Sequence, residues 1–369
     1  MPATVCFPFV GDLVGGSHIS AAGLIARLDR GRFRPLVLLQ HRRGAVADLM
    51  AANGIAFEVA PATLALEHGR PVGVGTALRL IAAAPRLSGL LRRRRIDIVH
   101  CNDGRTLATW ALPARLAGAS LLWHHRGSPD AAGLRLLAPA LADRVVAVSN
   151  FAAPRPGFYS AASRTEVIHS PFDTETIHDR RAARAAVTAL LPESARDASI
   201  VAFSGAMIDR KRPVLFVDAV AAMARRAPGT EVHGVLLGQS FEGMAGRVRA
   251  RTAELGIEGR IHLLGFRTPG PFWLAGCDLL MVPAVDEPFG RTLIEAMLVG
   301  TPVVATASGG NVEAIEDGRT GLLVPPEDAE ALAAGCLALL DDPARRRMIA
   351  IPPMPKQGSA MAKQRMPRR

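Results

Sequence analysis

Residues 286–297 read Asp-Glu-Pro-Phe-Gly-Arg-Thr-Leu-Ile-Glu-Ala-Met, with two carboxylates, Glu287 and Glu295, eight positions apart. The apolar run 279–283 before them predicts a buried strand, so Glu287 is expected in the loop that follows its carboxyl end. The residues after Gly290 favour a helix, whose first N–H groups are free to bind a phosphate or another anion. Both carboxylates can accept hydrogen bonds from neighbouring hydroxyls of one ligand, an arrangement that suits a sugar nucleotide.

The residues after this stretch extend the pattern. Residues 300–306 (Gly-Thr-Pro-Val-Val-Ala-Thr) predict a second short buried strand, and residues 308–313 (Ser-Gly-Gly-Asn-Val-Glu) predict a glycine-rich turn into another helix. Glycine has no Cβ atom, so such a turn lets the backbone approach a ligand closely. A lone glutamate on a helix is usually solvated. It is therefore the surroundings of the two carboxylates that indicate a binding site.

The run from Glu287 to Glu313 resembles the signature of the retaining glycosyltransferases of the GT-B fold, the glycogen-synthase-like and sucrose-synthase-like group called family four. In that family seven residues separate two glutamates, Phe-Gly follows shortly after the first, and a Gly-Gly-x-x-Glu turn comes one strand later. The resemblance implies that Glu287 binds hydroxyls of the donor sugar and Glu295 the ribose hydroxyls of its nucleotide. It extends over roughly residues 1–345 and is most specific over 199–326.

The resemblance also implies the domain organisation. We expect an α/β protein with two Rossmann-like domains facing across a cleft, the GT-B fold. Residues 1–170 would form the acceptor-binding domain and residues 171–345 the sugar-nucleotide-binding domain. Residues 346–369 are basic, contain several prolines and are expected to be disordered. Family members usually end in a long helix that crosses back onto the first domain, and we expect that helix to be missing or replaced here.

Length and composition agree with a two-domain α/β protein. At 369 residues the chain is longer than one hydrophobic core usually spans. Hydrophobic residues make up 49% of the chain, yet no uninterrupted apolar run reaches the roughly 18 residues of a membrane-spanning helix. The first ten residues lack a basic lead and predict a strand, so we expect no secretory signal and a cytoplasmic protein.

Cysteine usage and acidic motifs indicate no bound metal. The four cysteines show no Cys-x-x-Cys spacing and are expected to be core thiols; they are Cys6, Cys101, Cys277 and Cys336. No Asp-x-Asp pair follows a predicted strand to hold a divalent cation. We therefore expect neither a metal nor any cofactor besides a nucleotide-diphosphate sugar as co-substrate.

Positive charge is concentrated in two places. The chain carries a net charge of +11, and residues 343–369 contribute eight Lys/Arg and no acid, which leaves +3 for the rest. Four consecutive arginines, 92–95, end the apolar stretch 78–91. They fit either a solvated helix end or an amphipathic surface attracted to anionic lipid. Nucleic-acid binding by the tail is not expected, because it lacks aromatic residues.

Strand and helix alternate along the first half, as a parallel sheet requires. The predicted strand 4–10 leads to a Gly-Gly turn at 15–16, whose backbone by resemblance approaches the donor phosphates and the acceptor. The predicted strand 121–127 carries His-His-Arg at 124–126, near the edge where ligands bind in such sheets. By resemblance His125 matches a family histidine near the donor sugar, although a purely structural role is the alternative.

The second half begins with the predicted strand 199–205. In the family an arginine directly after the glycine that ends this strand, and a lysine five positions later, bind the donor phosphates. Lys211 matches that lysine, but Ala206 stands at the arginine position. We expect Arg210 or Arg212 to compensate.

The full set of expected site residues follows from these matches. One departure lies in the predicted hinge, where Ser170-Pro171 replaces the family's Asn-Gly. The catalytic residues are expected to be Glu287, His125 and Lys211. The donor-binding residues are expected to be Gly16, Gly205, Arg210, Lys211, Gly238, Phe289, Gly290, Arg291, Thr292 and Glu295.

The function implied is retaining hexosyl transfer from a nucleotide sugar such as a UDP- or GDP-hexose to a saccharide or lipid-linked acceptor. Such a reaction would serve cell-surface polysaccharide, lipopolysaccharide or glycolipid synthesis, in the cytoplasm or at the cytoplasmic face of the membrane. Two alternatives stay open: a catalytically weak or truncated donor-binding relative, and a sugar-nucleotide epimerase. A dehydrogenase is disfavoured, because no Gly-x-Gly-x-x-Gly follows the first strand.

Overall fold

The computed structural model describes residues 1–61, 66 and 72–349. They form two compact units. The N-terminal unit comprises Met1–Asp173 together with Asp286–Arg291 and Gly309–Glu313, and the C-terminal unit comprises the remaining described residues from Thr174 onward. The boundary thus falls three residues beyond the predicted one at 170. Asp286–Arg291 and Gly309–Glu313, which were expected in the second domain, belong to the N-terminal unit. A single boundary in the sequence cannot describe this division.

The N-terminal unit is a seven-stranded parallel sheet in the order β3-β2-β1-β4-β5-β6-β7. The strands are β1 Ala3–Pro8, β2 Phe33–Leu39, β3 Glu58–Val59, β4 Ile98–Cys101, β5 Ser120–His125, β6 Arg144–Ala147 and β7 Thr165–Val167. The helices are α1 Gly16–Ala26, α2 Ala45–Ala52, α3 Val74–Arg93, α4 Gly104–Ala117 and α5 Ala138–Leu141, the last preceded by a π-helical turn at Gly133–Leu137.

Helices cover both faces of this sheet, so its strands are apolar on both sides. Successive residues of β1 belong to different cores: Cys6 packs with Leu87 of α3 and Trp110 of α4. Phe7 packs with Ile25 of α1 and with residues of α2. This alternation gives the unit the three-layer arrangement of a doubly wound fold.

The C-terminal unit is a six-stranded parallel sheet in the order β10-β9-β8-β11-β12-β13. The strands are β8 Ser199–Ser204, β9 Val232–Leu237, β10 Ile261–Gly265, β11 Leu279–Val282, β12 Val303–Thr306 and β13 Leu322–Val324. The helices are α6 Arg180–Thr188, α7 Pro213–Arg226, α8 Met244–Glu254, α9 Gly270–Ala275, α10 Arg291–Leu298, α11 Asn311–Ala314, α12 Ala329–Leu340 and α13 Pro343–Ile349. Arg291 and Asn311–Glu313, which begin α10 and α11, belong to the N-terminal unit.

The last described helix, α13, corrects the predicted start of the tail. Residues 346–349, assigned from the sequence to a disordered segment, continue the helix that begins at Pro343. Ile349 is buried in the core that Phe216 of α7 also joins. Apolar burial therefore holds these residues in a helix. The rest of the predicted tail, and with it the question of a missing crossing helix, lies outside the described residues.

All four cysteines are free thiols buried in the cores, as expected. Burial raises the pKa of the Cys277 thiol to about 12. It also raises the pKa of the other three thiols, which are Cys6, Cys101 and Cys336. These cysteines act as small apolar side chains.

Among the described residues, α3 is the one helix long and apolar enough to cross a membrane by length and composition. It has 20 residues and a mean hydropathy of 1.2 over its most apolar window, and 22% of that window is buried. Arg79 and Arg86 interrupt the window, in line with the absence of a long unbroken apolar run in the sequence.

Candidate active site

Each sheet reverses its strand order at one place, between β1 and β4 in the N-terminal unit and between β8 and β11 in the C-terminal unit. In open parallel sheets, ligands bind outside the carboxyl ends of the strands at such a switch point. Most of the expected site residues lie in turns that follow these strands. The two units are therefore described in turn.

In the C-terminal unit, Lys211 lies across the carboxyl end of β8. Gly205 follows β8 with a φ of +137°, and a Cβ atom built there would lie 3.6 Å from Lys211 Cε and 3.7 Å from Lys211 Nζ. Lys211 ends the short 3-10 turn Asp209–Lys211. The ammonium group is thus placed beside a backbone segment that has no side chain of its own, where a phosphate can approach.

The end of β9 lies directly against the end of β8. A Cβ atom at Gly238 would lie 1.8 Å from the carbonyl oxygen of Gly205, so only glycine fits. The N–H of Gly238 donates to the carbonyl of Gly265 at 2.9 Å. Gly238 therefore permits the close approach of three strand ends.

The two arginines expected to compensate for Ala206 differ in their partners. Arg212 donates from Nε to Glu327 Oε1 at 2.7 Å and from Nη1 to the carbonyl of Asp209 at 2.7 Å. The backbone of Arg210 is held by a hydrogen bond of 2.9 Å from Val285 N to its carbonyl. Arg212 is therefore engaged with a carboxylate, and the backbone of Arg210 is tied to the residue that precedes Asp286.

Helix α10 places Thr292 in its first turn and Glu295 one turn further. Thr292 Oγ1 is buried and has no hydrogen-bond partner in the part of the chain that the structure describes. A Cβ atom at Gly270, the first residue of α9, would lie 3.5 Å from Glu295 Oε2. Glu295 therefore extends to the start of α9, and Thr292 offers a polar atom that a ligand can satisfy.

In the N-terminal unit, the glycines of the Gly-Gly-x-x-Glu turn clamp the loop of Glu287. The N–H of Gly310 donates to the carbonyl of Glu287 at 2.6 Å. A Cβ atom at Gly309, whose φ is +59°, would lie 2.5 Å from that same carbonyl oxygen, and one at Gly310 would lie 2.4 Å from the carbonyl oxygen of Pro288. Glycine is thus required at both positions, and Glu287, 7% exposed, is fixed in place.

Glu313, the glutamate of this turn, binds the segment that follows β6. Its carboxylate accepts from Asn150 N at 2.8 Å, Asn150 Nδ2 at 2.9 Å and Phe151 N at 2.7 Å. The hydroxyl of Ser149 donates to the carbonyl of Pro288. Together these bonds join the turn and the Glu287 loop to the segment that follows β6.

Phe289, Gly290 and Arg291 complete this loop. The ring of Phe289 is buried and stacks on His169, with centroids 4.6 Å apart and planes 12° from parallel. Gly290 has a φ of +75°, which favours glycine. Arg291 Nη1 donates to Ser20 Oγ at 3.0 Å, and its guanidinium lies over the ring of Phe172.

The Gly-Gly turn after β1 begins α1. Gly16 is the first helical residue, and a Cβ atom there would lie 3.0 Å from Arg291 Cδ, so the arginine side chain lies against this glycine. His18 Nδ1 accepts from the N–H of Gly15 at 3.3 Å. Gly16 and Arg291, both expected at the donor site, are thus neighbours.

The two histidines at the end of β5 point in different directions. His125 is buried edge-on against Trp123, and its Nε2 lies 3.0 Å from the carbonyl of Ser128. His124 instead stacks on His100, with centroids 5.8 Å apart, and accepts at Nδ1 from Arg126 Nη2 at 3.2 Å. His124 thus joins the polar cluster around Arg126, whereas His125 contacts Trp123 and the loop that follows β5.

Burial holds these imidazoles neutral. It lowers the pKa of His124 to about 2, with the Arg126 guanidinium as a further cause, and lowers the pKa of His125 to about 4. It also lowers the pKa of His100 to about 3. Since Nδ1 of His124 accepts, its proton is on Nε2, and that atom is buried without a hydrogen-bond partner among the described residues.

Arg126 organises this polar cluster. Besides His124, it donates to Asn102 Oδ1 at 3.2 Å and to Ser170 Oγ at 2.9 Å. Asn102 in turn donates to the carbonyl of Ser17 at 2.7 Å. Burial, and then the nearby Arg291 guanidinium, lower the pKa of Arg126 to about 10. The edge of the N-terminal unit is therefore electropositive at neutral pH.

The sequence indicated part of this cluster. The His-His-Arg run at the end of a strand pointed to the edge, but neither Asn102 nor Ser170 stood out as a site residue. Asn102 follows β4 directly, at the switch point, and that position is the signal that could have identified it. No group of three or more His, Cys, Asp or Glu residues placed to hold a metal ion occurs within the described ranges.

Two doubly wound units with glycine-rich turns, and with a lysine and two glutamates near their switch points, are typical of a nucleotide-binding α/β enzyme. Comparison with known families names it more closely. A family described as "Glycosyltransferase Family 4" matches residues 14–176, and one described as "Glycosyl transferases group 1" matches residues 198–342. The chain belongs to the group 1, family 4 glycosyltransferases.

Curated relatives include D-inositol 3-phosphate glycosyltransferases. That of Corynebacterium glutamicum is 35% identical over 147 residues, which cover 39% of this chain and 35% of the relative. That of Mycolicibacterium paratuberculosis is 38% identical over 188 residues, covering 49% of this chain and 40% of the relative. The matches thus span less than half the length of these relatives.

Solved structures share the whole fold. Anabaena HepE, solved in complex with UDP and glucose, superposes with a TM-score of 0.77 at 24% identity, covering 94% of this chain and 92% of that one. Sucrose-phosphate synthase from Thermosynechococcus elongatus gives a TM-score of 0.70 at 19% identity, with the same coverage. These similarities show that the chain has the GT-B fold with its two Rossmann-like domains.

Proposed function

We propose that the protein transfers a hexose from a nucleotide-diphosphate donor to a hydroxyl of a saccharide or lipid-linked acceptor, with retention of configuration at the anomeric carbon. The observation that carries this proposal is the position of Lys211 across Gly205 at the end of β8. A cation beside glycine backbone at a switch point is suited to a diphosphate.

Stabilisation of the leaving group is the main chemical task. The bond from the anomeric carbon to the phosphate oxygen breaks, and its electron pair remains on the departing diphosphate. The acceptor oxygen forms the new bond to that carbon, on the face from which the diphosphate departs, and its proton passes to the departing diphosphate. Lys211 and the N–H groups of the first turn of α10 neutralise the growing negative charge, without a metal ion. Thr292 Oγ1, which is buried without a partner among the described residues, can donate to the same phosphates.

The carboxylates hold the two sugars of the donor. Glu287, fixed by Gly309 and Gly310, accepts from hydroxyls of the transferred sugar. Glu295 accepts from the ribose hydroxyls. Hydrogen bonds to a carboxylate are charge-assisted and therefore strong, so they fix the position of the anomeric carbon.

The polar cluster of the N-terminal unit serves the reacting sugar and the acceptor. We assign to His124 the role of the family histidine near the donor sugar, since His125 is engaged with Trp123 and Ser128. His124 can donate from Nε2 to a sugar oxygen, because Arg126 holds its Nδ1 as an acceptor. A neutral imidazole suits this task, as it can donate without adding charge.

The comparisons suggest where to begin with substrates. Two structures similar in fold contain UDP with glucose and UDP-glucose, both of Anabaena HepE. A third is a lipopolysaccharide outer core galactosyltransferase, with a TM-score of 0.62 at 18% identity. UDP-hexoses are therefore the first donors to test, and cell-surface polysaccharide, lipopolysaccharide or glycolipid synthesis on the cytoplasmic side of the membrane is the first context.

The test is turnover of UDP-, GDP- and ADP-sugars measured by mass spectrometry, with and without soluble and lipid-linked acceptors. Glu287→Gln and Lys211→Ala are expected to abolish consumption of the donor. Two substitutions at exposed positions serve as matched controls, Glu258→Gln and Arg249→Ala, and are expected to leave turnover unchanged. The anomeric configuration of the product, read by NMR, tests retention.

The outcomes separate the proposal from its alternatives. Consumption that requires an acceptor and is lost in both variants supports transfer. A donor isomerised without any acceptor indicates an epimerase. A donor that binds but is never consumed indicates a catalytically weak relative.

A further inference from the structure

Helix α3 exposes a stripe of apolar side chains. Val74, Leu78 and Ile81 are 80%, 62% and 56% exposed. Their spacing of four and three residues places them on one line along the helix, and exposed Pro85 continues it. Such a stripe is costly in water unless another apolar phase covers it.

A row of arginines runs beside this stripe. Arg79, Arg86 and Arg93 are exposed and follow one another at intervals of seven residues, so they share a second line about a third of a turn from the first. No acidic residue occurs from 72 to 96. Within the described ranges no carboxylate lies within ion-pair distance of these three arginines.

The opposite side of α3 fastens the helix to the N-terminal unit. Leu80, Ala84, Leu87 and Leu91 are buried. Leu87 and Leu91 share a core with Trp110 of α4. Because this face is occupied, α3 lies along the surface of the unit over about 30 Å, with the apolar stripe and the arginine row outward.

We propose that this face of α3 docks the protein onto an anionic lipid bilayer. The helix lies in the plane of the interface, the stripe of Val74, Leu78 and Ile81 enters the boundary between headgroups and acyl chains, and the arginine row binds lipid phosphates. Charge complementarity selects this partner, since both the row and the flanking arginines 92–95 are cationic and acidic neighbours are absent over 72–96. Docking does not depend on the donor or on catalysis.

The experiment is sedimentation of the purified full chain with vesicles of phosphatidylcholine alone or with about 30% phosphatidylglycerol. The wild type is expected to bind the anionic vesicles and to bind neutral ones weakly. The triple variant Arg79→Gln/Arg86→Gln/Arg93→Gln is expected to bind the anionic vesicles about a hundredfold more weakly. A triple of equal charge loss elsewhere, Arg43→Gln/Arg181→Gln/Arg249→Gln, is expected to bind like the wild type.

The apolar stripe is tested separately by Leu78→Ser/Ile81→Ser. This variant is expected to lose about tenfold in binding to anionic vesicles and to keep the salt dependence of the wild type. Circular dichroism and thermal unfolding check that both sets of variants are folded, and since all five positions are exposed, folding is expected to be intact.

Three results would overturn the proposal. The first is wild-type binding by the arginine triple, since the basic segment 350–369 would then account for it. The second is an equal loss of binding to anionic vesicles in Arg43→Gln/Arg181→Gln/Arg249→Gln, which would indicate attraction by the net charge of the protein alone. The third is binding by wild type that does not distinguish anionic from neutral vesicles.

Discussion

Arg126 donates a hydrogen bond of 2.9 Å from Nη1 to the hydroxyl of Ser170. Ser170 stands where the family resemblance has asparagine, and the sequence alone left its role in doubt. In the structure it accepts from the arginine that also holds His124 and Asn102. Ser170 therefore supplies an acceptor for Arg126 at this departure from the family pattern.

Arg126→Gln is expected to reduce kcat for transfer by about tenfold to a hundredfold, because His124 loses the donor that holds its tautomer and orientation. The KM for the nucleotide sugar is expected to change less than kcat. Steady-state kinetics at saturating acceptor measure this split. Arg135→Gln, at an exposed arginine of the π-helical turn, is the matched control and is expected to behave as wild type. Equal kcat values for Arg126→Gln and Arg135→Gln would show that Arg126 has no part in the transfer reaction.

Gly310→Ala is expected to destabilise the protein by about 1–3 kcal/mol and to weaken donor binding, since its Cβ would overlap the carbonyl of Pro288. The overlap displaces the Glu287 loop, to which Gly310 donates. Urea unfolding gives the free energy, and calorimetry with a UDP-sugar gives the affinity. Gly259→Ala, where a Cβ meets nothing within 4 Å, is the control. If Gly310→Ala matched it in both measurements, the clamp on Glu287 would be unimportant.

The histidines at the edge of the N-terminal sheet make stability pH-dependent. Burial lowers the pKa of His124 to about 2 and of His125 to about 4. The unfolded chain takes up protons near pH 6.5 while the folded protein does not, so the stability from these groups is present above pH 6.5 and lost as pH falls toward 4. Each histidine is expected to lower the free energy of unfolding by about 1.4 kcal/mol for each pH unit that the pH falls within that window.

Urea unfolding at pH 7.5, 6 and 5 measures this loss. His124→Gln is expected to flatten the fall in unfolding free energy between pH 6 and 5, because glutamine takes up no proton in either state. Arg135→Gln, at an exposed residue that does not titrate between pH 5 and 7.5, is expected to leave the slope unchanged. Identical slopes for wild type and His124→Gln would contradict the assignment.

Much of the fold could be predicted from the sequence, because alternating apolar runs and helical segments specify parallel sheets. The predicted strand 4–10 is observed as Ala3–Pro8, and the predicted strand 199–205 as Ser199–Ser204. The glycines at 309 and 310 were recognised as a motif. Glycine is needed at both positions because a Cβ atom would overlap the backbone of the Glu287 loop, and this contact is visible only in the folded structure.

Two parts of the site could not be read from the sequence. Side chains alternate along a strand, but which of His124 and His125 contacts Arg126 depends on how the end of β5 meets its neighbours, which periodicity does not fix. The partners of Glu313, at Asn150 and Phe151, are more than 160 residues away in the chain. Contacts of that range arise from packing and leave no local pattern.

Arg210 is expected to supply the donor-phosphate charge that Ala206 lacks. Arg210→Ala is expected to weaken binding of a UDP-sugar about tenfold, whereas Arg212→Ala is expected to have little effect on affinity, because Arg212 is engaged with Glu327. Calorimetry with UDP and with uridine separates the contribution of the phosphates from that of the base. In the Arg210→Ala background, Ala206→Arg is expected to restore the affinity for UDP and to leave that for uridine unchanged. Equal losses in Arg210→Ala and Arg212→Ala would mean that the two arginines share the task, and a failed rescue would place the diphosphate away from the end of β8.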